Sequence, residues 1–340
     1  MTHHAATAKA AERRALCSIS GLGRHLPEKH LTNADLEKLV DTTDEWIVQR
    51  TGIRSRRVLP ADWSTSDLAV AAARDALADA RLLVADIDLL MVTTVTPDRL
   101  CPSTACVVHR KLGMVNTPAF DISVACSGFG YGVSLAAGMV HSGLHRNVLV
   151  VSAEAMTRFM DYRDRASCIL FGDGAGAAVV ARTGRYELLH TSNGADGSLA
   201  EMIEIPAGGS REPASAASVE AGRHFLMVRG REVFKTAVRQ MVDSTETALR
   251  ELGLATDDID WIVPHQANGR IIEAVAEALD VPLDRVVFDL VDKGNTSSAS
   301  IPIAFTGLDR SRQLRAGQIV VLVGFGAGAA WSCQVLRVAG

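Results

Sequence analysis

The chain carries one pattern twice, and a duplicated sequence must fold into halves that share an architecture. Asp86-Ile-Asp88 followed by Leu89-Leu-Met-Val92 matches Asp258-Ile-Asp260 followed by Trp261-Ile-Val263, an offset of 258 − 86 = 172 residues. The helical stretch before it matches at the same offset, with Ala76-Leu77 over Ala248-Leu249 and Leu82 over Leu254. Further on, Gly172-Asp-Gly-Ala-Gly-Ala-Ala178 matches Gly324-Phe-Gly-Ala-Gly-Ala-Ala330, an offset of 324 − 172 = 152. Two pairs in the same order predict halves that each run helix, strand, middle portion and glycine-rich strand turn. The smaller second offset gives the first half the longer middle.

Strand-like and helical segments alternate throughout, which argues for α/β layering. Thr32-Asn-Ala-Asp35 and Ser64-Thr-Ser-Asp67 read as helix starts with an acidic residue three positions on, the second leading through Ala71, Ala72, Ala76 and Ala80. Strands apolar on both faces need covering from both sides, so neither half is expected to stand alone. The first half is assigned to residues 16–185 and the second to 186–340, with residues 1–15 a loose tail. Asn193 to Ala221, rich in Gly, Ser, Ala and Pro, reads as an irregular connection and not as a disordered linker.

Bulk properties narrow the class. The chain is 48% hydrophobic and 22% charged, ordinary for a globular enzyme. A net charge of -4 excludes a generally basic nucleic-acid binder. Met1 to Ala15 lacks the apolar core of a secretory signal. The run from Ile319 to Val323 is too short to cross a bilayer, so no membrane partner is expected. Six cysteines are scattered without C-x-x-C or metal-ligand spacing, which fits reduced thiols and a cytoplasmic location.

Chemistry concentrates at Asp121-Ile-Ser-Val-Ala-Cys126-Ser-Gly-Phe-Gly-Tyr131. Apolar residues before Cys126 suit a strand end, and the small and apolar residues after it suit a buried helix. Free N–H groups of the first helical turn would then face the sulfur and lower its pKa, favouring the nucleophilic thiolate. An ordinary buried cysteine satisfies the same pattern. His265, in Trp261-Ile-Val-Pro-His-Gln-Ala-Asn268-Gly-Arg270, follows an apolar strand and taken alone reads as a structural histidine. It lies over Thr93 at the 172 offset. Asn295, in Lys293-Gly-Asn-Thr-Ser-Ser-Ala-Ser300, taken alone reads as a helix cap.

Taken together, these pieces resemble the β-ketoacyl-[acyl-carrier-protein] synthase III family of the thiolase-like condensing enzymes. The resemblance runs from about Cys17 to Arg337 and includes Asp44-Glu-Trp-Ile-Val-Gln-Arg-Thr-Gly-Ile-Arg54, Ala125-Cys-Ser-Gly128, Phe171-Gly-Asp-Gly-Ala-Gly176, Pro264-His-Gln-Ala-Asn268 and Gly294-Asn-Thr-Ser297. It implies two mixed five-stranded sheets in a five-layered α-β-α-β-α sandwich. It also implies Cys126, His265 and Asn295 as catalytic residues: an acyl-CoA loads the sulfur, then a malonyl-acyl-carrier-protein condenses with loss of carbon dioxide. His265 and Asn295 would donate to the enolate oxygen, and the backbone N–H groups of Cys126 and Ala327 to the acyl carbonyl. Many relatives have glycine at the position of Ala327. Trp46 and Arg50 would hold the adenine of coenzyme A, Arg158 its phosphates and Asn268 the pantetheine arm. No cofactor is implied beyond these substrates.

The same resemblance implies a homodimer and an acidic carrier-protein partner, for which Lys235 and Arg270, with Arg229 and Arg231, are the docking candidates. Glu277 stands where relatives often carry a base. A neighbouring subunit's loop, here Asp98-Arg-Leu-Cys-Pro-Ser103, would gate the acyl pocket, and the small Cys101 predicts a deeper pocket than a bulky aromatic gives. Arg99 beside it offers an alternative, a carboxylated acyl chain. Three rival readings remain: a thiolase, which needs a second cysteine where Leu322-Val323 stands; an acyltransferase that forms no carbon–carbon bond; and a catalytically silent scaffold.

Overall fold

The structure, a computed structural model, describes residues 15–340. All of the expected tail except Ala15 lies outside the described residues. The strands are β1 (Cys17–His25), β2 (His30–Thr32), β3 (Ser55–Arg57), β4 (Leu89–Thr93), β5 (Ala119–Ile122), β6 (Asn147–Ala155), β7 (Asp173–Ala181), β8 (Tyr186–Ala195), β9 (Ile203–Glu204), β10 (Met227–Val228), β11 (Trp261–Pro264), β12 (Ile319–Gly326) and β13 (Ala330–Val338). The principal helices are α1 (Asp44–Thr51), α2 (Thr65–Ala80), α3 (Thr104–Leu112), α4 (Gly128–His141), α5 (Gly230–Leu252), α6 (Gly269–Ala278) and α7 (Ser300–Arg310).

Both halves use one topology. The first runs β5-β4-β6-β7-β1, with β4 parallel to β5 and β6, and the other pairs antiparallel. The second runs β11-β12-β13-β8 with the matching parallel and antiparallel pairs. Its fifth strand is reduced to one parallel bridge, Ile262 to Val286. The two sheets join where β1 pairs with β8 over Cys17–Leu188, Ser18–Glu187 and Ile19–Tyr186, giving nine strands in continuous order.

Helices cover both faces, as strands buried throughout require; every residue of β7 and β12 is buried. α2 and α3 pack outside the first sheet, α5 and α6 outside the second, while α4 and α7 touch strands of both and form the central layer. The result is the five-layered sandwich. α2 starts where Ser64 and Asp67 bracket its first turn, the Ser64 N–H donating to Asp67 Oδ2 at 2.9 Å. Among the described residues, no helix is long and apolar enough to cross a membrane.

The 172 offset extends beyond the motif that revealed it. The 3-10 turns Ala125–Ser127 and Ser297–Ala299, the starts of α4 and α7 (300 − 128), and the starts of β6 and β12 (319 − 147) all obey it. The second glycine pair does not belong to it. Gly172 precedes β7, whereas Gly324 lies inside β12, and the strand equivalent to β7 is β13. That match is one of composition: both segments pack closely and need small residues. The longer middle of the first half is instead the segment 156–172 between β6 and β7, against 327–329 between β12 and β13. The 185/186 boundary falls just before β8. The expected irregular connection begins inside β8, and Ile203 to Ile205 from it line the main cavity, so it builds the site as well as linking the halves.

Candidate active site

Cys126 sits between β5 and α4, on a turn whose preceding residue, Ala125, has φ of 44°. The left-handed region costs an alanine on the order of 1–2 kcal/mol and marks a turn held by its surroundings. The second half repeats the device: Ser297, 172 residues on, has φ of 49°. Gly326 at the end of β12 presses on the nucleophile's backbone, since a Cβ there would lie 2.6 Å from the Cys126 nitrogen. Only glycine permits that approach.

His265 follows β11, and its backbone N–H donates to the Val323 carbonyl at 2.8 Å. Its Nδ1 lies 2.6 Å from Ser300 Oγ, which also accepts the Gln266 N–H at 3.3 Å. With Ser300 donating its own proton to Nδ1, the ring proton lies on Nε2. Burial lowers the His265 pKa to about 3, so the ring is neutral at ordinary pH. Asn295 is clamped from three sides. Its N–H donates to the Leu170 carbonyl at 2.8 Å, its carbonyl accepts the Gly172 N–H at 3.0 Å, and its Oδ1 accepts the Ser297 N–H at 2.8 Å. The side-chain NH2 is what remains to donate.

Cys126, His265, Asn295 and Ala327 line one cavity of about 330 Å³, whose other walls include Met156, Phe171, Leu226 and Phe325. It meets an outer vestibule of about 780 Å³ at Leu170, Gly230, Phe234 and Asn268. Trp46, Arg50, Arg165, Arg231, Lys235 and Arg270 line the vestibule, with Glu232 the one acidic residue among its lining. The Trp46 ring lies between two guanidinium groups, Arg50 at 4.7 Å and Arg165 at 4.8 Å from its centroid. Asn268 caps α6, its Oδ1 accepting the Arg270 N–H at 2.9 Å, so its amide NH2 is the group left at the neck.

Two expectations need correction. Arg158 does not line the vestibule; it donates to the carbonyls of Pro60, Ala61 and Trp63, at 3.3, 3.2 and 2.6 Å, which pins that loop. Arg165, seven residues later and unremarked in the sequence, takes the vestibule position. Burial pushes the Cys126 thiol up to about 12, against the lowering expected of a helix tip, and outweighs its hydrogen bond to Ser297 and the one from its own N–H. Cys101 is exposed and is not among the residues lining its own chain's cavity. Arg99 borders a separate surface pocket with Pro102 and Arg110. Arg229 pairs with Glu201 at 3.6 Å, and Glu277 stands exposed on α6 beside Glu273.

A duplicated five-layered sandwich with a cysteine at this turn defines a thiolase-like condensing enzyme. Family models for 3-oxoacyl-[acyl-carrier-protein] synthase III match residues 120–197 and, for its C-terminal part, 249–338. The β-ketoacyl-[acyl-carrier-protein] synthase III of Caldanaerobacter subterraneus subsp. tengcongensis is 49% identical over 94% of this chain and 97% of its own. The crystal structure of the Aquifex aeolicus 3-oxoacyl-[acyl-carrier-protein] synthase III superposes with a TM-score of 0.87 at 40% identity, covering 94% and 99% of the two chains. The priming β-ketosynthase of the R1128 polyketide pathway also gives 0.87, at 38% identity over 96% and 97%. The chain belongs to the β-ketoacyl-[acyl-carrier-protein] synthase III family.

The environment of His265 sets a pH expectation. Imidazole nitrogen NMR should show a neutral ring with the proton on Nε2 from pH 8 down to pH 5. Protonation with a midpoint near 6.5 would contradict the assignment. Because the unfolded chain's histidine protonates near 6.5 and the folded one near 3, this residue makes folding less favourable as pH falls between those values.

Proposed function

We propose that the chain transfers an acyl group from acyl-CoA to Cys126 and condenses it with malonyl-acyl-carrier-protein, giving a 3-oxoacyl-acyl-carrier-protein that starts an acyl chain. The observation that carries this is the meeting of Cys126, His265 and Asn295 at one apolar cavity that opens into a basic, tryptophan-bearing vestibule.

The Cys126 sulfur attacks the thioester carbonyl, and the coenzyme leaves as a thiol. The N–H groups of Cys126 and Ala327 receive the negative oxygen of that step. A malonyl thioester then enters and loses carbon dioxide, leaving an enolate whose oxygen accepts from His265 Nε2 and the Asn295 NH2. A neutral imidazole suits this role, because it donates without giving up a full proton. The enolate carbon attacks the acyl-cysteine, and the sulfur leaves. No step calls for a metal or redox cofactor. The described residues that this chain contributes to the cavity include no Lys or Arg, so a carboxylated acyl group would depend on Arg99 from a partner's loop.

Trp46, Arg50 and Arg165 form the site for the nucleotide end of the coenzyme, with Asn268 at the pantetheine neck. Lys235 and Arg270 at the vestibule mark the carrier-protein face, while the acidic outer face of α6 keeps it confined. Six free cysteines, two of them exposed, support a reducing cytoplasmic setting. A homodimer is supported by β5, an edge strand that pairs only with β4 and exposes Phe120. In such a dimer the loop bearing Cys101 would reach the partner's cavity. Sedimentation should then give twice the chain mass, and a monomer would exclude this arrangement.

Mass spectrometry after incubation with acyl-CoAs should find one acyl adduct, on Cys126, and none in Cys126→Ser. His265→Ala and Asn295→Ala should each lower decarboxylation by roughly 10²–10³-fold while still loading. Loading without any carbon–carbon bond formation in the wild type would make the protein a simple acyltransferase. In steady-state kinetics, Arg165→Ala should raise KM for acyl-CoA by roughly tenfold, for about 1.4 kcal/mol of lost contact. Arg158→Ala should leave KM near the wild-type value, and the reverse pattern would restore Arg158 to the coenzyme site.

A further inference from the structure

Glu154, at the end of β6, has no part in the chemistry above, yet it is wholly buried one side chain away from the nucleophile. Its carboxylate accepts from four hydroxyls and one backbone amide. Thr96 Oγ1 donates at 2.6 Å, Ser298 Oγ at 2.8 Å, Thr94 Oγ1 at 3.1 Å, Ser297 Oγ at 3.1 Å and the Val95 N–H at 3.1 Å. None of these partners is a cation. On the other side of Ser297, its Oγ accepts from Cys126 Sγ at 3.6 Å. The path is therefore continuous, from sulfur through a serine hydroxyl to a carboxylate.

From this path we propose that Glu154, acting through Ser297, is the residue that takes up and holds the proton of the Cys126 thiol. The S–H bond breaks as its proton passes to Ser297 Oγ, and the proton already on Ser297 passes to Glu154 Oε1. A neutral thiol and a carboxylate become a thiolate and a neutral acid. When a thioester is attacked, Ser297 returns the proton to the departing coenzyme sulfur, and Glu154 is ionised again. Glu154 touches no substrate in this scheme and acts as a positioning residue.

Charge conservation makes the scheme less costly than ionising the thiol to solvent. Burial pushes the Cys126 thiol and the Glu154 carboxyl in the same direction, upward, so each separately resists a negative charge. Passing a proton between them leaves the pocket with one negative charge throughout. Ionising the thiol to solvent would instead place a second negative charge beside Glu154, in a region of low dielectric. The other titratable groups nearby are accounted for. His265 lies across the cavity, neutral and bonded to Ser300. Asp173 on the adjacent β7 is turned to Thr157 and the Leu59 N–H.

The scheme rests on Cys126 being the loaded residue, but its test needs no acyl substrate. Alkylation of Cys126 by iodoacetamide, read by mass spectrometry of its peptide across pH 5 to 10, reports the thiolate directly. The wild type should react at a rate nearly independent of pH around neutrality. Glu154→Gln and Ser297→Ala should each lose at least about tenfold at pH 7 and recover as pH rises. A merely like-charged neighbour gives the opposite sign, because removing its charge eases thiolate formation. Equal or faster alkylation of Glu154→Gln at pH 7 overturns the proposal, as does an unaltered rate in Ser297→Ala. Should Glu154→Gln fail to fold, Ser297→Ala, which leaves Glu154 its other four donors, decides alone.

Discussion

The close approach of Gly326 to the backbone of Cys126 is the contact on which the rest of the molecule depends. It brings the last residue of a strand from the second sheet against the turn that carries the nucleophile of the first. Ala125 can then be held in a left-handed conformation, because the surrounding layers leave the turn no other course. The central helices α4 and α7 begin directly after the two such turns, at Gly128 and Ser300. Any rearrangement that separated the sheets would release the turn, misplace the sulfur and open the cavity together.

Dryness is the second consequence of that packing. The same burial that raises the thiol pKa lowers that of His265, and both shifts favour neutral groups. A dry pocket with a neutral thiol and a neutral imidazole suits a reaction that expels a carboxylate as carbon dioxide and passes through oxyanions. Fixed N–H donors meet those charges where they develop, without the reorganisation that water would need. The difficulty is generating the first thiolate. A thiol on a helix tip in contact with solvent would ionise readily, whereas this one needs somewhere within the protein for its proton to go.

How far the sequence was readable follows from which forces act locally. The 172-residue repeat was visible because equivalent strands and helices need the same apolar pattern. The positions of Cys126, His265 and Asn295 were visible because each sits in a short, distinctive run of neighbours. The second glycine match misled, since close packing selects small residues at topologically different places. Arg158 and Arg165 are indistinguishable by type. Which one faces the vestibule is decided by the carbonyls of Pro60, Ala61 and Trp63, contributed from about a hundred residues away. The environment of the thiol is set in a similar way, as a helix tip is a local feature and burial a global one. Extending the repeat one step further would have set Ser297 over Ala125 and singled out that turn.

Comparing the halves explains why only one of them holds a nucleophile. At the 172 offset Cys126 corresponds to Ser298, and Gly326 corresponds to Glu154. In the first half's turn the facing strand end is glycine, which leaves a thiol bordering an open cavity. In the second half's turn it is glutamate, whose carboxylate reaches 2.8 Å from Ser298 Oγ and fills the equivalent space with bonded hydroxyls. The 156–172 insertion adds a further asymmetry, supplying Met156 and Phe171 to the cavity and Arg165 to the vestibule. The two turns are thus equivalent in the fold, one bordering the open cavity and the other packed with polar side chains. The packed turn still lies against its open counterpart, joined to it through Ser297.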